Sequence, residues 1–149
     1  MCGFVGGIYP KDRHNIVDLL KDSSSLLTHR GPDQEGYTVK ENDNFIYAVA
    51  HRRLSIIDLN NGAQPFFSKD RRYALIFNGE IYNYKYLKKI LQNKGVKFKT
   101  QSDTEVLLES FIFWGKECLT KVNGMFAFAL YDFKKEELIM ARDRFGIKP

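Results

Sequence analysis

Met125-Phe126-Ala127-Phe128-Ala129-Leu130-Tyr131-Asp132-Phe133 alternates large side chains at Phe126, Phe128 and Leu130 with small ones at Ala127 and Ala129. A two-residue period is that of a β-strand. A strand with one thick and one thin apolar face suits close packing on both sides. Lys134-Lys135-Glu136-Glu137 follows as a turn, and Leu138 to Ala141 reads as the returning strand.

Upstream, Ser102-Asp103-Thr104-Glu105 has capping-box spacing. The helix after it carries Val106, Leu107, Ser110, Phe111 and Trp114. Asn83 to Lys94 reads as a second helix, with Tyr84, Leu87 and Leu91 on one face and Gly95 as its C-cap. Tyr73 to Phe77 is an apolar strand that runs into Asn78-Gly79. Leu54 to Asp58 reads as strand, and Leu59 to Pro65 as a loop. Tyr37 to Lys40 and Phe45 to Ala50 read as a hairpin across Asn42-Asp43-Asn44. Asn15 to Leu27 is helical in period, with Ile16, Leu19, Leu20, Ser23 and Leu27 on one face, and Gly31-Pro32 stops it. Gly3 to Tyr9 is the first strand, ended by Pro10. Runs of strand interrupted by grouped helices favour α+β layers over a parallel βαβ fold.

The 149 residues suffice for one domain with a real core. An aromatic share of 14% fits a strand-rich core. The net charge of +5 is scattered. Its densest group, Lys85, Lys88 and Lys89, reads as the solvated face of a helix, so nucleic acid is not an expected partner. Cys2 and Cys118 make no disulfide framework and fit a reducing compartment. No signal peptide and no membrane-spanning run is recognisable, so no membrane partner is expected and the cytoplasm is the expected location. Cys118, among Lys116, Glu117 and Lys121 in a helix-to-strand connection, reads as a structural or partly exposed thiol.

Several stretches carry possible chemistry. If Met1 is removed, Cys2 becomes an N-terminal residue that holds a nucleophile and a base together, its α-amine taking the thiol proton. The alternative is a small residue that merely starts a strand. Asn78-Gly79-Glu80 reads as a turn or as an oxyanion hole built from the Asn78 amide and the Gly79 N–H. In His51-Arg52-Arg53-Leu54-Ser55 an arginine fork suits a carboxylate or a surface ion pair. Asp103, in a first helical turn, suits the helix dipole or a substrate ammonium. His14, His29 and His51 have no metal-ligand spacing, and no metal is expected; a Cys2–histidine pair stays open.

Together these stretches resemble the glutaminase domain of the asparagine synthetases, within the class II glutamine amidotransferases, which are N-terminal-nucleophile hydrolases. The resemblance is carried by Met1-Cys2-Gly3, His29-Arg30-Gly31-Pro32-Asp33, His51 to Asp58 and Gly62-Ala63-Gln64-Pro65. It continues in Asn78-Gly79-Glu80-Ile81-Tyr82-Asn83-Tyr84, Ser102 to Glu105, Asn123 to Ala129 and Arg142 to Pro149. It implies one amidotransferase domain over residues 2–149, as a four-layer αββα sandwich of two antiparallel sheets. It implies that Cys2 is the nucleophile and that Asn78 and Gly79 form the oxyanion hole. Arg53 would take the α-carboxylate of L-glutamine, and Asp103 with the Glu80 region its α-ammonium. Leu54, Ser55, Ile56 and Ile57 would line the pocket. The implied reaction hydrolyses glutamine through a Cys2 thioester and passes ammonia to a synthetase domain, in cis or in trans, that amidates aspartate. No cofactor is implied for these residues; ATP and Mg would belong to the synthetase domain. The family continues beyond the point matched by Pro149, so the expectation is a sandwich incomplete at its C-terminal end. An inactive fragment or binding module, a sugar-acid acceptor and a homodimer all stay open.

Overall fold

The computed structural model describes residues 2–55 and 62–149, which fall into two compact units. The first comprises residues up to 55 together with 63–65. Its strands are β1 (Gly3–Pro10), β2 (Gln34–Glu41) and β3 (Phe45–Arg53), with helix α1 (Ile16–Ser25) between β1 and β2. They pair antiparallel in the order β1-β3-β2. Helix α1 places Ile16 and Leu20 against Ile46, Ala48 and Ala50 of β3, flanked by Val5, Tyr9 and Val39. The alternate β3 residues Tyr47, Val49, His51 and Arg53 are buried too, so the central strand is covered on both faces.

The expected hairpin of the second and third strands is present, but each strand is longer than its apolar pattern. Strand β2 begins at Gln34 rather than Tyr37, and β3 runs on through His51-Arg52-Arg53. The ladder extends because Gln34, Glu35 and Gly36 pair with Arg53, Arg52 and His51, and a backbone ladder ignores side-chain polarity. Leu54 and Ser55, read as strand, are not in one. The Leu54 N–H turns to the sulfur of Cys2 and the Ser55 N–H to the Asp33 carboxylate, so neither joins a ladder. The rest of that expected strand, and residues 59–61 of the expected loop, lie outside the described residues.

The second unit comprises residue 62 and residues 66–149 among those described. Its sheet has the order β4 (Phe66–Phe67), β5 (Tyr73–Ile81), β6 (Gly124–Asp132), β7 (Glu137–Arg142), all antiparallel. Helices α2 (Tyr84–Asn93) and α3 (Asp103–Trp114) connect β5 to β6, followed by a 3-10 turn over Gly115–Glu117 and the short α4 (Cys118–Lys121). The thick face of β6, Phe126, Phe128 and Leu130, joins Leu75, Phe77 and Ile81 of β5 beneath Leu87, Val106, Leu107 and Phe111. Each such side chain gains about 1.5–3 kcal/mol by leaving water. The thin face, Ala127 and Ala129, is buried as well. Both faces of the strand are therefore covered, as its alternation implies.

Local signals explain the helix ends. Ser102 Oγ accepts from the Glu105 N–H at 3.2 Å, the first half of the expected capping box. The reciprocal half is missing, because the Glu105 carboxylate is occupied by Lys99 N–H, Thr100 N–H and the Thr100 hydroxyl. Gly95, at φ +90°, follows α2 in the left-handed conformation of a C-terminal cap. Cys118 opens α4 within the expected helix-to-strand connection; it is fully buried in the core, and burial pushes its thiol up to about 11. That agrees with a structural thiol. No helix among the described residues is long and apolar enough to cross a membrane.

The segment after β7 is organised by a buried carboxylate. Asp143 Oδ1 accepts from Phe145 and Ile147 N–H, and Oδ2 from Phe126 and Lys148 N–H. Burial alone would raise this carboxyl; the four backbone donors outweigh it and hold it at about 2. The folded form is thus stabilised by ionised Asp143 above the ordinary carboxylate range, and loses that stabilisation as pH falls toward 2. Replacement Asp143→Asn is expected to lower the urea midpoint at neutral pH. The gap from the parent chain should narrow from about pH 5 down toward about pH 2, as the unfolded parent's carboxyl takes up a proton that the folded one, held at about 2, resists. A gap that does not change with pH would contradict this role.

Candidate active site

In the first unit, β1 starts beside the end of β3, with Gly3 opposite Arg52. This places half-buried Cys2 next to Leu54. The Leu54 N–H donates to Cys2 Sγ at 3.4 Å, and the thiol reaches the Leu54 carbonyl at 3.7 Å. The Cys2 carbonyl accepts from Arg30 Nε at 3.2 Å. The sulfur is therefore held by a strand end instead of a side-chain base, and none of the histidines is its hydrogen-bond partner among the described residues. His14 and His29 are exposed, while His51 is buried.

Strand alternation separates the two adjacent arginines. Arg52 pairs with Glu35 at 3.1 Å and donates to Ser24 Oγ at 3.1 Å, the ion-pair alternative realised at the neighbouring position. Arg53 points the other way and is only 5% exposed. Its Nη1 donates to Gln34 Oε1 at 2.8 Å. With His51, Gln34 and Gln64 it lines a cleft of about 400 Å3. A guanidinium in a cleft of that kind suits a carboxylate ligand. Asp33 secures the same corner: its N–H donates to the Arg53 carbonyl at 3.0 Å, and its carboxylate accepts from Ser55 N–H at 2.7 Å. Leu54 and Ser55 are half-buried here; Ile56 and Ile57 lie outside the described residues.

In the second unit, Asn78 and Gly79 do not make a turn. Strand β5 continues through them to Ile81, with Asn78 opposite Ala127 and Gly79 opposite Phe126. The backbone approach at Gly79 is close: an added Cβ would lie 2.6 Å from Phe126 Cα and against the Met125 carbonyl. Asn78 is 4% exposed, a polar side chain in the body of a sheet. Two carboxylates stand at the end of this strand. Half-buried Glu80 is in β5, and Asp103 is the first residue of α3. Asp103 Oδ2 accepts from Ile81 N–H at 3.1 Å. Burial pushes its carboxyl up to about 6, against hydrogen bonds from Ile81 and Thr104 N–H, with the Glu80 charge adding to the rise. An acid so burdened gains from a cation, as an ammonium ligand would supply.

The first unit thus brings Cys2, Arg53, Leu54 and Ser55 to one strand end, and the second gathers Asn78, Gly79, Glu80 and Asp103 around the end of β5 and the start of α3. Gln34 and the Leu54 N–H had no signal in the sequence. Backbone donors leave no residue signature, and Gln34 sits in a strand segment without apolar alternation. Arg30 and Asp33 fall in a stretch quoted above for resemblance, to which no role was attached.

Comparison with known proteins gives the family. The family model described as "Glutamine amidotransferase domain" matches residues 1–149. Asparagine synthetase [glutamine-hydrolyzing] 1 of Bacillus subtilis (strain 168) is 45% identical over all of this chain and 23% of its own length. Asparagine synthetase B [glutamine-hydrolyzing] of Escherichia coli (strain K12) is 44% identical over all of this chain and 26% of its own length. The chain thus spans about a quarter of the length of these curated relatives. Among solved structures, a glutamine phosphoribosylpyrophosphate amidotransferase from B. subtilis matches 99% of this chain and 38% of its own. The identity is 24% and the TM-score 0.73, so the fold is shared. The α+β class read from the sequence, and the antiparallel sheets that the resemblance implied, are observed.

The Asp103 geometry has a pH consequence. Its folded carboxyl titrates near 6, above the ordinary 3.8, so between those values the folded chain binds more protons than the unfolded one. Stability from this group is full below about pH 4 and is lost as pH rises through about 6. Asp103→Asn should remove that decline, so that the variant gains on the parent between pH 4 and pH 7 in a series of urea titrations. A constant difference over that range would contradict the burial of Asp103.

Proposed function

We propose, for a chain that belongs to the glutamine amidotransferase domain family, that residues 2–149 hydrolyse L-glutamine with Cys2 as the nucleophile. The observation that carries this reading is the Cys2 sulfur held at 3.4 Å from the Leu54 N–H, beside buried Arg53. After loss of Met1 the α-amine of Cys2 takes the thiol proton. The sulfur attacks the side-chain amide carbon of glutamine. Negative charge on the amide oxygen goes to the Asn78 amide and the Gly79 N–H; removing one such donor typically costs about 2.7–4 kcal/mol of barrier. The carbon–nitrogen bond breaks as the α-ammonium returns its proton to the leaving ammonia. Water then attacks the thioester carbon, releasing glutamate and the thiol.

Binding falls to the groups whose charge suits it. Arg53 receives the α-carboxylate, and Asp103 with Glu80 receives the α-ammonium. Leu54 and Ser55 line the pocket beside Arg53, and the same role is assigned to Ile56 and Ile57, which lie outside the described residues. Fixing both α-groups makes chain length readable, since a pocket alone tells glutamine from asparagine by only about 1–3 kcal/mol. The relatives named as glutamine-hydrolysing asparagine synthetases support a destination for the ammonia: amidation of aspartate by a synthetase part of the protein. ATP and Mg belong to that part in this reading, and residues 2–149 need no cofactor.

With Met1 removed, the chain is expected to release glutamate from L-glutamine, and Cys2→Ala to abolish the release, a loss of at least about three orders of magnitude. A coupled glutamate assay on both forms decides it. Equal release by the Cys2→Ala chain would sink the nucleophile assignment. Loss of release in His51→Ala with an intact fold would favour the thiol–histidine alternative.

A further inference from the structure

Arg53 carries its charge into a position only 5% exposed, where polar partners are required. One of them is the residue opposite it in the β2–β3 ladder, Gln34, whose Oε1 lies 2.8 Å from Nη1. The next ladder position makes a telling contrast. There Glu35 stands opposite Arg52 and forms an ion pair with it. Two neighbouring residues of β2 thus treat two neighbouring arginines differently. Glu35 brings a full negative charge to its arginine; Gln34 brings an acceptor oxygen and no charge. Half-buried Gln34 lines the cleft of about 400 Å3 that holds Arg53, as does Glu35, whose charge is taken up by Arg52.

Bidentate recognition of a carboxylate needs the guanidinium plane turned correctly. A long, flexible arginine left to itself spends rotamer entropy to reach that orientation when ligand binds. We propose that Gln34 is a positioning residue that determines specificity. It fixes the plane of the Arg53 guanidinium for the ligand's carboxylate, and as a neutral amide it adds no negative charge to compete for it. This rests on the reading that Arg53 receives the α-carboxylate of glutamine. A charged residue at position 34 would hold the arginine equally well but oppose the carboxylate.

The test uses the full chain with Met1 removed and two substitutions of different character. Gln34→Leu keeps the volume and removes the acceptor. Gln34→Glu keeps an acceptor and adds the charge. Both should raise KM for L-glutamine by about tenfold while kcat stays within about twofold, because the group acts on binding alone. Calorimetric titration of L-glutamine into the same variants in a Cys2→Ala background should show the same weakening without turnover. There, 4-aminobutanamide, which lacks the carboxylate, should bind the variants as it binds the parent. If Gln34→Leu fails to fold, Gln34→Glu decides. Unchanged KM and Kd in a folded variant overturn the proposal, as does equal weakening of 4-aminobutanamide. Arg53→Ala separates the two layers. If it weakens glutamine while neither Gln34 variant does, only the role of Gln34 falls. If it leaves glutamine unaffected, or if the parent chain binds no glutamine, the reading of Arg53 falls and this inference with it.

Discussion

A buried guanidinium at the end of a β-strand is the constraint on which the first unit turns. Arginine cannot be left in a low-dielectric position without polar partners. Alternation along β3 assigns Arg53 to the face of Tyr47, Val49 and His51, and Arg52 to the face packed on α1. The ladder reaches far enough to put Gln34 opposite Arg53, and β2 extends to that point despite its polar sequence. Asp33 then ties the Arg53 carbonyl and the Ser55 N–H, which leaves the Leu54 N–H directed at Cys2. Placement of the sulfur follows from satisfying the arginine's surroundings.

The second unit solves the converse problem, buried carboxylates, with backbone N–H groups. Glu105 accepts from the turn before α3, Asp103 from Ile81 at the end of β5, and Asp143 from four donors that include Phe126. The outcomes differ with the balance between burial and donors. Asp143, with four, is held at about 2, whereas burial leaves Asp103 near 6. That difference is chemically useful. Asp143 is a fixed structural anion beside the Gly79–Phe126 pair, whose backbones meet too closely for any side chain at position 79. Asp103 retains an unmet preference for positive charge.

Legibility in the sequence tracked the source of each element's specification. Met125 to Phe133 was readable because its own side chains, large then small, are what pack on the two faces. Ser102 and Gly95 were readable because caps are local chemistry. The ends of β2 and β3 were not, since Gln34-Glu35 and Arg52-Arg53 are held in strands by their partners, against their polarity. The same holds for Asn78-Gly79, where a turn dipeptide is kept extended by pairing with Phe126 and Ala127. Of the site, residue types announced themselves at Cys2, Arg53 and Asp103. The groups that orient them, Gln34 and the Leu54 N–H, depend on register and became visible only in three dimensions.

The central claim is that Cys2, freed of Met1, bonds covalently to the side-chain carbon of glutamine. Acid quenching during turnover, followed by mass spectrometry of the intact chain and of its N-terminal peptide, tests it most directly. The expected species is a chain that begins at Cys2 and carries one glutamyl group on the peptide containing that residue, with Cys118 unmodified. Retained Met1 in a chain that still turns over glutamine, or a glutamyl group found on Cys118, would contradict it.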